Sequence, residues 1–103
     1  MRREERFVQL PTAPNETSAP TNTAPFEQMW IDFDGSWTGN FTLEGLLSTD
    51  LTNWQTIAAS VTSPAAIIAV TVPYAQIRVN GTAALTALGT LKGKVCSFNP
   101  RTK

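Results

Sequence analysis

The feature that most constrains the fold is an alternating stretch followed by a second apolar run, together spanning residues 41–61. The positions of one parity in the first part are apolar or glycine: Phe41, Leu43, Gly45 and Leu47. The polar Thr42 and Glu44 occupy the other parity, and period two is typical of a strand with one buried face. A polar connector at residues 48–53 leads to a second run that begins at Trp54. The pattern predicts two consecutive strands.

Further runs predict strands at residues 26–33, 66–72, 74–80 and 91–95. The strand predicted at residues 66–72 ends before Pro73, which breaks it. The glycine-rich residues 34–40 are predicted to form a loop. Asn80-Gly81 is a strong hairpin signal, and a bend at residues 83–89 is the alternative. No long segment has helical period with caps. Short strands separated by turn signals therefore predict an all-β chain, folded as an antiparallel, jelly-roll-like β-sandwich.

The first 25 residues differ in composition from the rest. They contain four of the prolines, Pro11, Pro14, Pro20 and Pro25. Because proline fixes φ and biases the preceding residue towards extended conformations, residues 1–25 are predicted to form an extended N-terminal arm. Residues 26–103 are predicted to form the sandwich domain and to fold without the arm. A stretched arm would span about 80 Å, so we expect it to reach a neighbouring chain. An arm folded back on its own domain is the alternative.

The charges are balanced overall but unevenly distributed. Eight basic residues match eight acidic ones, so bulk charge predicts no nucleic-acid partner. Residues 26–91 carry five acidic residues against Arg78, whereas residues 92–103 carry four basic residues and no acidic one. Positive chain ends favour an acidic neighbouring surface. The chain also begins with three arginines, which a short apolar patch follows. Together these are the candidate partner-binding residues: Arg2, Arg3, Arg6, Phe7, Val8 and Leu10.

The sequence offers few residues for chemistry. It contains no histidine, which excludes Ser-His-Asp and Cys-His sites and the usual zinc ligand sets. Asp32 and Asp34, followed by Gly35, look like the start of a haloacid-dehalogenase-type phosphatase motif, but the chain lacks the helices and length of that scaffold. The spacing also fails for a calcium-binding EF-hand. We therefore expect turn aspartates exposed to solvent, and no catalytic residue, cofactor or metal. The single Cys96 excludes an internal disulfide.

The tryptophans have two interpretations. Aromatic faces suit sugar rings, so Trp30, Trp37 and Trp54 could form a platform for a glycan. We expect Trp54 to be a core residue. For Trp37, which lies in the predicted loop, a core position and a surface position for a glycan or a protein interface remain open.

Membrane insertion is not expected. The longest strongly apolar run, Ala65 to Val70, is too short to span a bilayer. No apolar segment follows the charged start, so no signal peptide is expected.

The order of several short motifs resembles a known module. These motifs are Leu43-Glu44-Gly45, Thr52-Asn53-Trp54, Tyr74, Ile77-Arg78-Val79 and a glycine-containing last strand. Together, over residues 41–95, they resemble the small discoidin-like, galactose-binding-type β-sandwich modules of phage virion proteins. Leu46 stands where the pattern usually has serine, and the connector lacks the usual aspartate-glycine. The family name describes a fold and does not establish a sugar site.

The resemblance implies a structural or binding role. The expected function is a non-enzymatic phage virion protein, a capsid decoration or cement protein held on the capsid exterior by its N-terminal arm. Its expected partners are the major capsid protein and sister subunits in a homo-oligomer. Its expected location is the virion surface, after synthesis in the host cytoplasm. The alternative is a tail- or fibre-associated carbohydrate-binding module that recognises a host surface glycan.

Overall fold

The computed structural model describes residues 2–13, 15–23, 28–47, 49–62, 66–83 and 85–99. The eight strands are β1 (Arg2–Phe7), β2 (Thr21–Asn22), β3 (Met29–Asp34), β4 (Asn40–Leu47), β5 (Asp50–Thr62), β6 (Ala66–Val70), β7 (Tyr74–Asn80) and β8 (Lys92–Asn99). No helix occurs in these described ranges.

The strands form two antiparallel four-stranded sheets. Sheet A has the order β1-β8-β3-β6, and sheet B has the order β2-β7-β4-β5. The two sheets bury a shared set of apolar side chains, which is the architecture of a β-sandwich. The prediction of an all-β antiparallel sandwich is confirmed.

The core lies between the inner faces of the sheets, and alternating burial along β3, β4 and β7 supplies much of it. Phe41 and Leu43 of β4 are fully buried, as their parity predicts. The ring of Phe33 from sheet A meets the ring of Phe41 from sheet B edge-on, with centroids 4.9 Å apart. Gly45 keeps the same parity and lies under the ring of Tyr74, where an added Cβ would approach to 2.6 Å. A glycine is needed there because the ring occupies the space of a side chain.

The N-terminal segment is part of both sheets. β1 pairs with β8 along its whole length, from Arg2↔Asn99 to Phe7↔Lys94, and β2 pairs with β7. Val8, directly after β1, is only 5% exposed and belongs to the core. The described residues of this segment therefore fold back on their own domain, which was the alternative, and do not extend towards a neighbour. Burial of Val8 and the backbone pairing help offset the entropy of ordering the segment.

Two connections differ from the sequence prediction. The prediction of a hairpin at Asn80-Gly81 is wrong, because β7 lies in sheet B and β8 lies in sheet A. The described residues between β7 and β8, 81–83 and 85–91, instead belong to a connection from one sheet to the other, in which Leu85 is only 1% exposed. The predicted polar connector after β4 is shorter than expected, because β5 already begins at Asp50, opposite Leu47. The predicted loop is present as residues 35–39, because Asp34 ends β3 and Asn40 begins β4, and Gly35 and Gly39 both have φ 95°.

Candidate functional site

The outer face of sheet A carries a continuous row of side chains across all four strands. The register aligns Phe7 with Lys94, Lys94 with Asp32, and Asp32 with Ile67. Residues opposite one another in antiparallel strands point to the same face of a sheet. The row therefore places two charged residues between two apolar residues, one at each edge of the sheet.

The two apolar ends of this row are unusually open to solvent. Phe7 is 85% exposed and Ile67 is 72% exposed. Trp30 lies half-buried in the neighbouring row, between Cys96 of β8 and Ala69 of β6. Aromatic residues at the surface are enriched in protein interfaces, where they act as anchors. Sheet A therefore presents an outer face suited to contact with another macromolecule.

A groove of about 320 Å³ lies beside Phe7 on this face. It is lined by apolar residues of the N-terminal segment and by residues of β3 and β8: Phe7, Val8, Leu10, Asp32, Asp34, Lys92, Gly93 and Lys94. Lys94 Nζ lies 3.8 Å from Oε2 of Glu5, and both side chains are about two-fifths exposed. Such an exposed ion pair adds little stability. The groove combines apolar walls with charges of both signs. The apolar walls could bury part of a partner, and the charges could orient it.

The predicted partner-binding residues have different environments. Phe7 and Leu10 line the groove, as does Val8, whose side chain is mostly in the core. Arg6 Nη1 donates a hydrogen bond of 2.8 Å to the carbonyl oxygen of Asn22 and so joins β1 to β2. The side chains of Arg2 and Arg3 lie outside the described residues. β1 therefore carries one highly exposed aromatic residue, Phe7. Arg6 and Val8, on either side of it, hold the segment against its own domain through a hydrogen bond and through burial in the core.

The two aspartates of the DxDG sequence belong to this groove. Asp32 lies opposite Lys94 in the sheet and Asp34 lies opposite Lys92. Asp34 Oδ1 accepts a hydrogen bond of 2.8 Å from the backbone N–H of Gly35, which shapes the turn after β3. Across the described ranges, no group of three or more histidine, cysteine, aspartate or glutamate residues is placed to hold a metal ion. The aspartates can orient a basic partner group through charge.

A second cluster occupies the outer face of sheet B. Arg78 Nε donates a hydrogen bond of 2.6 Å to Oε1 of Glu44, and Asn80 Nδ2 donates to Glu44 Oε2 at 3.4 Å. The guanidinium carbon of Arg78 lies 4.2 Å from the ring centroid of Trp54. A cation over an indole ring contributes about 0.5–1 kcal/mol at an exposed site. Polar groups and an aromatic ring therefore converge on one surface.

The position of Trp54 corrects the expectation that it is a core residue, and the position of Trp37 decides between the two alternatives left open for it. Trp54 is half-buried against Arg78 and lies outside the core cluster. Trp37 is the core residue: it is 6% exposed, and its ring centroid lies 5.6 Å from that of Phe41. Its Nε1 donates to the carbonyl oxygen of Val61 at 3.4 Å. The ring of Trp37 therefore cannot serve as a surface platform for a glycan or a protein partner.

Sequence reasoning missed the cluster on sheet B, although a signal was present. Glu44 alternates with Leu43 and Gly45, and Arg78 alternates with Ile77 and Val79, so the pattern places both on the outer faces of their strands, and they carry opposite charges. Trp54 alternates with Thr52 and Thr56, which is a polar parity rather than an apolar one. That local pattern indicates an outward tryptophan.

Comparison with protein-family models, with curated proteins and with solved structures finds no match for this chain. The fold and its surfaces define the class as an all-β antiparallel sandwich with a highly exposed aromatic residue, Phe7, on the outer face of sheet A. The resemblance to discoidin-like phage modules stays a prediction. None of the described residues belongs to a helix with the length and apolarity needed to cross a bilayer.

Proposed function

We propose that this chain is a non-enzymatic structural protein of a phage virion, a capsid decoration or cement protein bound to the capsid exterior through its N-terminal segment. The observation that carries this proposal is the exposure of Phe7, 85%, beside the groove on the outer face of sheet A. The sandwich fold and the order of motifs over residues 41–95 support the same role.

Phe7 can supply much of the affinity. An aromatic side chain buries about 150–250 Å², a gross gain of roughly 4–6 kcal/mol at about 25 cal/mol per Å², from which the costs of association must be subtracted. Most of that area is still in contact with solvent on the free domain. Lys92, Lys94, Asp32 and Asp34 around the groove would orient the major capsid protein rather than add much net energy.

The experiment uses particles that lack this protein. Purified protein is added, and its occupancy is measured by sedimentation and gel densitometry. We expect Phe7→Ser to reduce occupancy at least tenfold. The matched control is Leu51→Ser, because Leu51 is an exposed apolar residue, 64% exposed, on β5 in the other sheet. Equal occupancy for the Phe7 variant and the control would reject this surface as the capsid contact.

The number of copies in purified virions tests the location separately. A decoration protein covers the capsid, so we expect on the order of hundreds of copies per particle, with sister subunits close together. A handful of copies would place the protein in the tail or in a fibre instead.

The cluster on sheet B favours a second candidate function, the recognition of a host surface glycan by a tail- or fibre-associated module. Trp54 is partly exposed there, and Glu44, Arg78 and Asn80 provide hydrogen-bond donors and acceptors beside it. Aromatic faces stack on sugar rings, while such polar groups select hydroxyl positions.

A glycan array followed by calorimetry tests this candidate. Trp54→Ala should abolish any binding, whereas Trp30→Ala, on the opposite sheet, should retain it. Binding lost equally in both variants, or absent from the unmodified protein, would count against a glycan site at Trp54.

A further inference from the structure

The four edge strands of the sandwich are not equally protected against pairing. An edge strand presents unpaired N–H and C=O groups, and proteins blunt such edges with charges, bulges or very short strands. The edges here are β1 and β6 of sheet A, and β2 and β5 of sheet B.

Three of these edges carry a protective feature. β1 has the sequence RREERF, in which five of the six residues are charged. β2 contains only two residues. β5 is long, but its pairing with β4 shifts register at three places. Bulges twist a strand and interrupt the regular row of groups that another strand would need.

The fourth edge, β6, lacks all three features. Its sequence is AIIAV, and it pairs with β3 over five consecutive positions, from Met29↔Val70 to Phe33↔Ala66, without a register shift. The sequence carries no charged residue from Leu51 to Ile77. Within the described part of the chain, no strand pairs with the other side of β6. A regular, uncharged edge rich in β-branched residues favours strand addition.

We propose that two copies of this chain associate by antiparallel pairing of β6 with β6 about a two-fold axis. The two copies of sheet A then form one eight-stranded sheet. With the pairing centred on Ile68, Ile67 lies opposite Ala69 of the second copy, and Ile68 lies opposite itself. Such a dimer forms in solution whether or not the protein binds a capsid.

A second copy suits this edge better than an unrelated partner because the strand complements itself. The highly exposed Ile67 meets a small residue, and the half-buried Ile68, which already packs against the core, extends that core across the axis. No charge opposes the contact. The same operation on β1 would place Arg3 opposite Arg6 and Glu4 opposite Glu5, and like charges directly opposite one another are destabilising.

The contact is small, so the dimer should be weak. A five-residue strand spans about 17 Å, and the buried area should fall below the roughly 1,000 Å² of a stable complex. We therefore expect a dissociation constant of roughly micromolar or weaker, with dimers that appear as the concentration rises.

Sedimentation velocity over a hundredfold range of concentration tests the dimer. The unmodified chain should shift from monomer to dimer, and Ile67→Lys should raise the dissociation constant at least tenfold. Leu51→Lys is the matched control, since it makes the same chemical change at an exposed residue of the bulged edge. It should dimerise as the unmodified chain does. A monomeric unmodified chain, or equal effects of Ile67→Lys and Leu51→Lys on the dissociation constant, would overturn the β6 dimer.

A crosslink tests the register independently of affinity. Ile68→Cys in a Cys96→Ser background should form a symmetric disulfide on mild oxidation, because directly opposite residues have Cα atoms about 4.5–5.5 Å apart. Leu51→Cys in the same background should not. Circular dichroism checks that each variant is folded. A folded Ile68→Cys protein that fails to crosslink where the unmodified chain is dimeric would overturn the proposed register.

Discussion

Replacing Trp37 and Trp54 in turn by alanine should distinguish the core tryptophan from the surface one by the loss in the free energy of unfolding. Trp37 is 6% exposed and touches Phe41 across the core, so Trp37→Ala should lower the free energy of unfolding by about 3–5 kcal/mol. Trp54→Ala removes a partly exposed ring and a cation–π contact of about 0.5–1 kcal/mol, so it should cost only about 1–2 kcal/mol. Since about 1 kcal/mol shifts the melting temperature of a domain this size by roughly 4–8 °C, the two variants should be clearly resolved.

The measurement is urea unfolding followed by far-ultraviolet circular dichroism, because tryptophan fluorescence itself changes with the substitution. The slope of free energy against urea should stay constant, so that midpoints report stability. Trp37→Phe is a useful control, since it keeps an aromatic ring in the core and should fall between the unmodified protein and Trp37→Ala. A cost for Trp54→Ala equal to or greater than that for Trp37→Ala would refute the assignment of the two rings.

Gly45→Ala should destabilise the sandwich by about 1–3 kcal/mol, because the new Cβ would meet the ring of Tyr74 at 2.6 Å; an unchanged urea midpoint would contradict this. Removing β1 together with Val8 should cost at least about 2 kcal/mol from lost apolar burial alone, and a truncated protein with full stability would show that the segment is not part of the fold. Hydrogen bonds from the side chain of Asn53, and then from Thr52, lower the pKa of Asp50 below its ordinary value. The stability they contribute is present above the ordinary pKa of an aspartate and is lost as the pH falls through the lowered value; Asn53→Ala should raise that pKa in a carboxyl NMR titration, and no change would exclude this cause.

The outer surfaces show why exposed residues need a different kind of reasoning from buried ones. Phe7 is the last residue of the charged strand β1, so its exposure depends on which strand lies beside it. β8 pairs along one side of β1 and places Lys94, rather than an apolar neighbour, next to Phe7. A sequence pattern predicts the parity of such a residue but not the chemistry of the residue opposite.

The local properties of this protein could be predicted from its sequence. Alternation determined which face of β4 and β7 points inward, and the absence of helical period determined the all-β class, because side-chain direction in a strand repeats every two residues. The polar parity of Trp54, and the opposite charges of Glu44 and Arg78, were also present in the sequence.

Only the tertiary structure decided which strands pair and which aromatic residues become core. The pairing Phe7↔Lys94 joins the two ends of the chain, and the connection after Asn80 crosses between sheets instead of forming a hairpin. Local preferences do not encode such contacts, since loop closure costs little more as the loop lengthens and many pairings have similar local energies. Trp37 is buried because the loop at residues 35–39 packs it against Phe41 and brings its Nε1 to the carbonyl oxygen of Val61, 24 positions further along the chain. Trp54 is half-buried because β5 places it on the outer face of sheet B, where Arg78 of β7 lies over its ring.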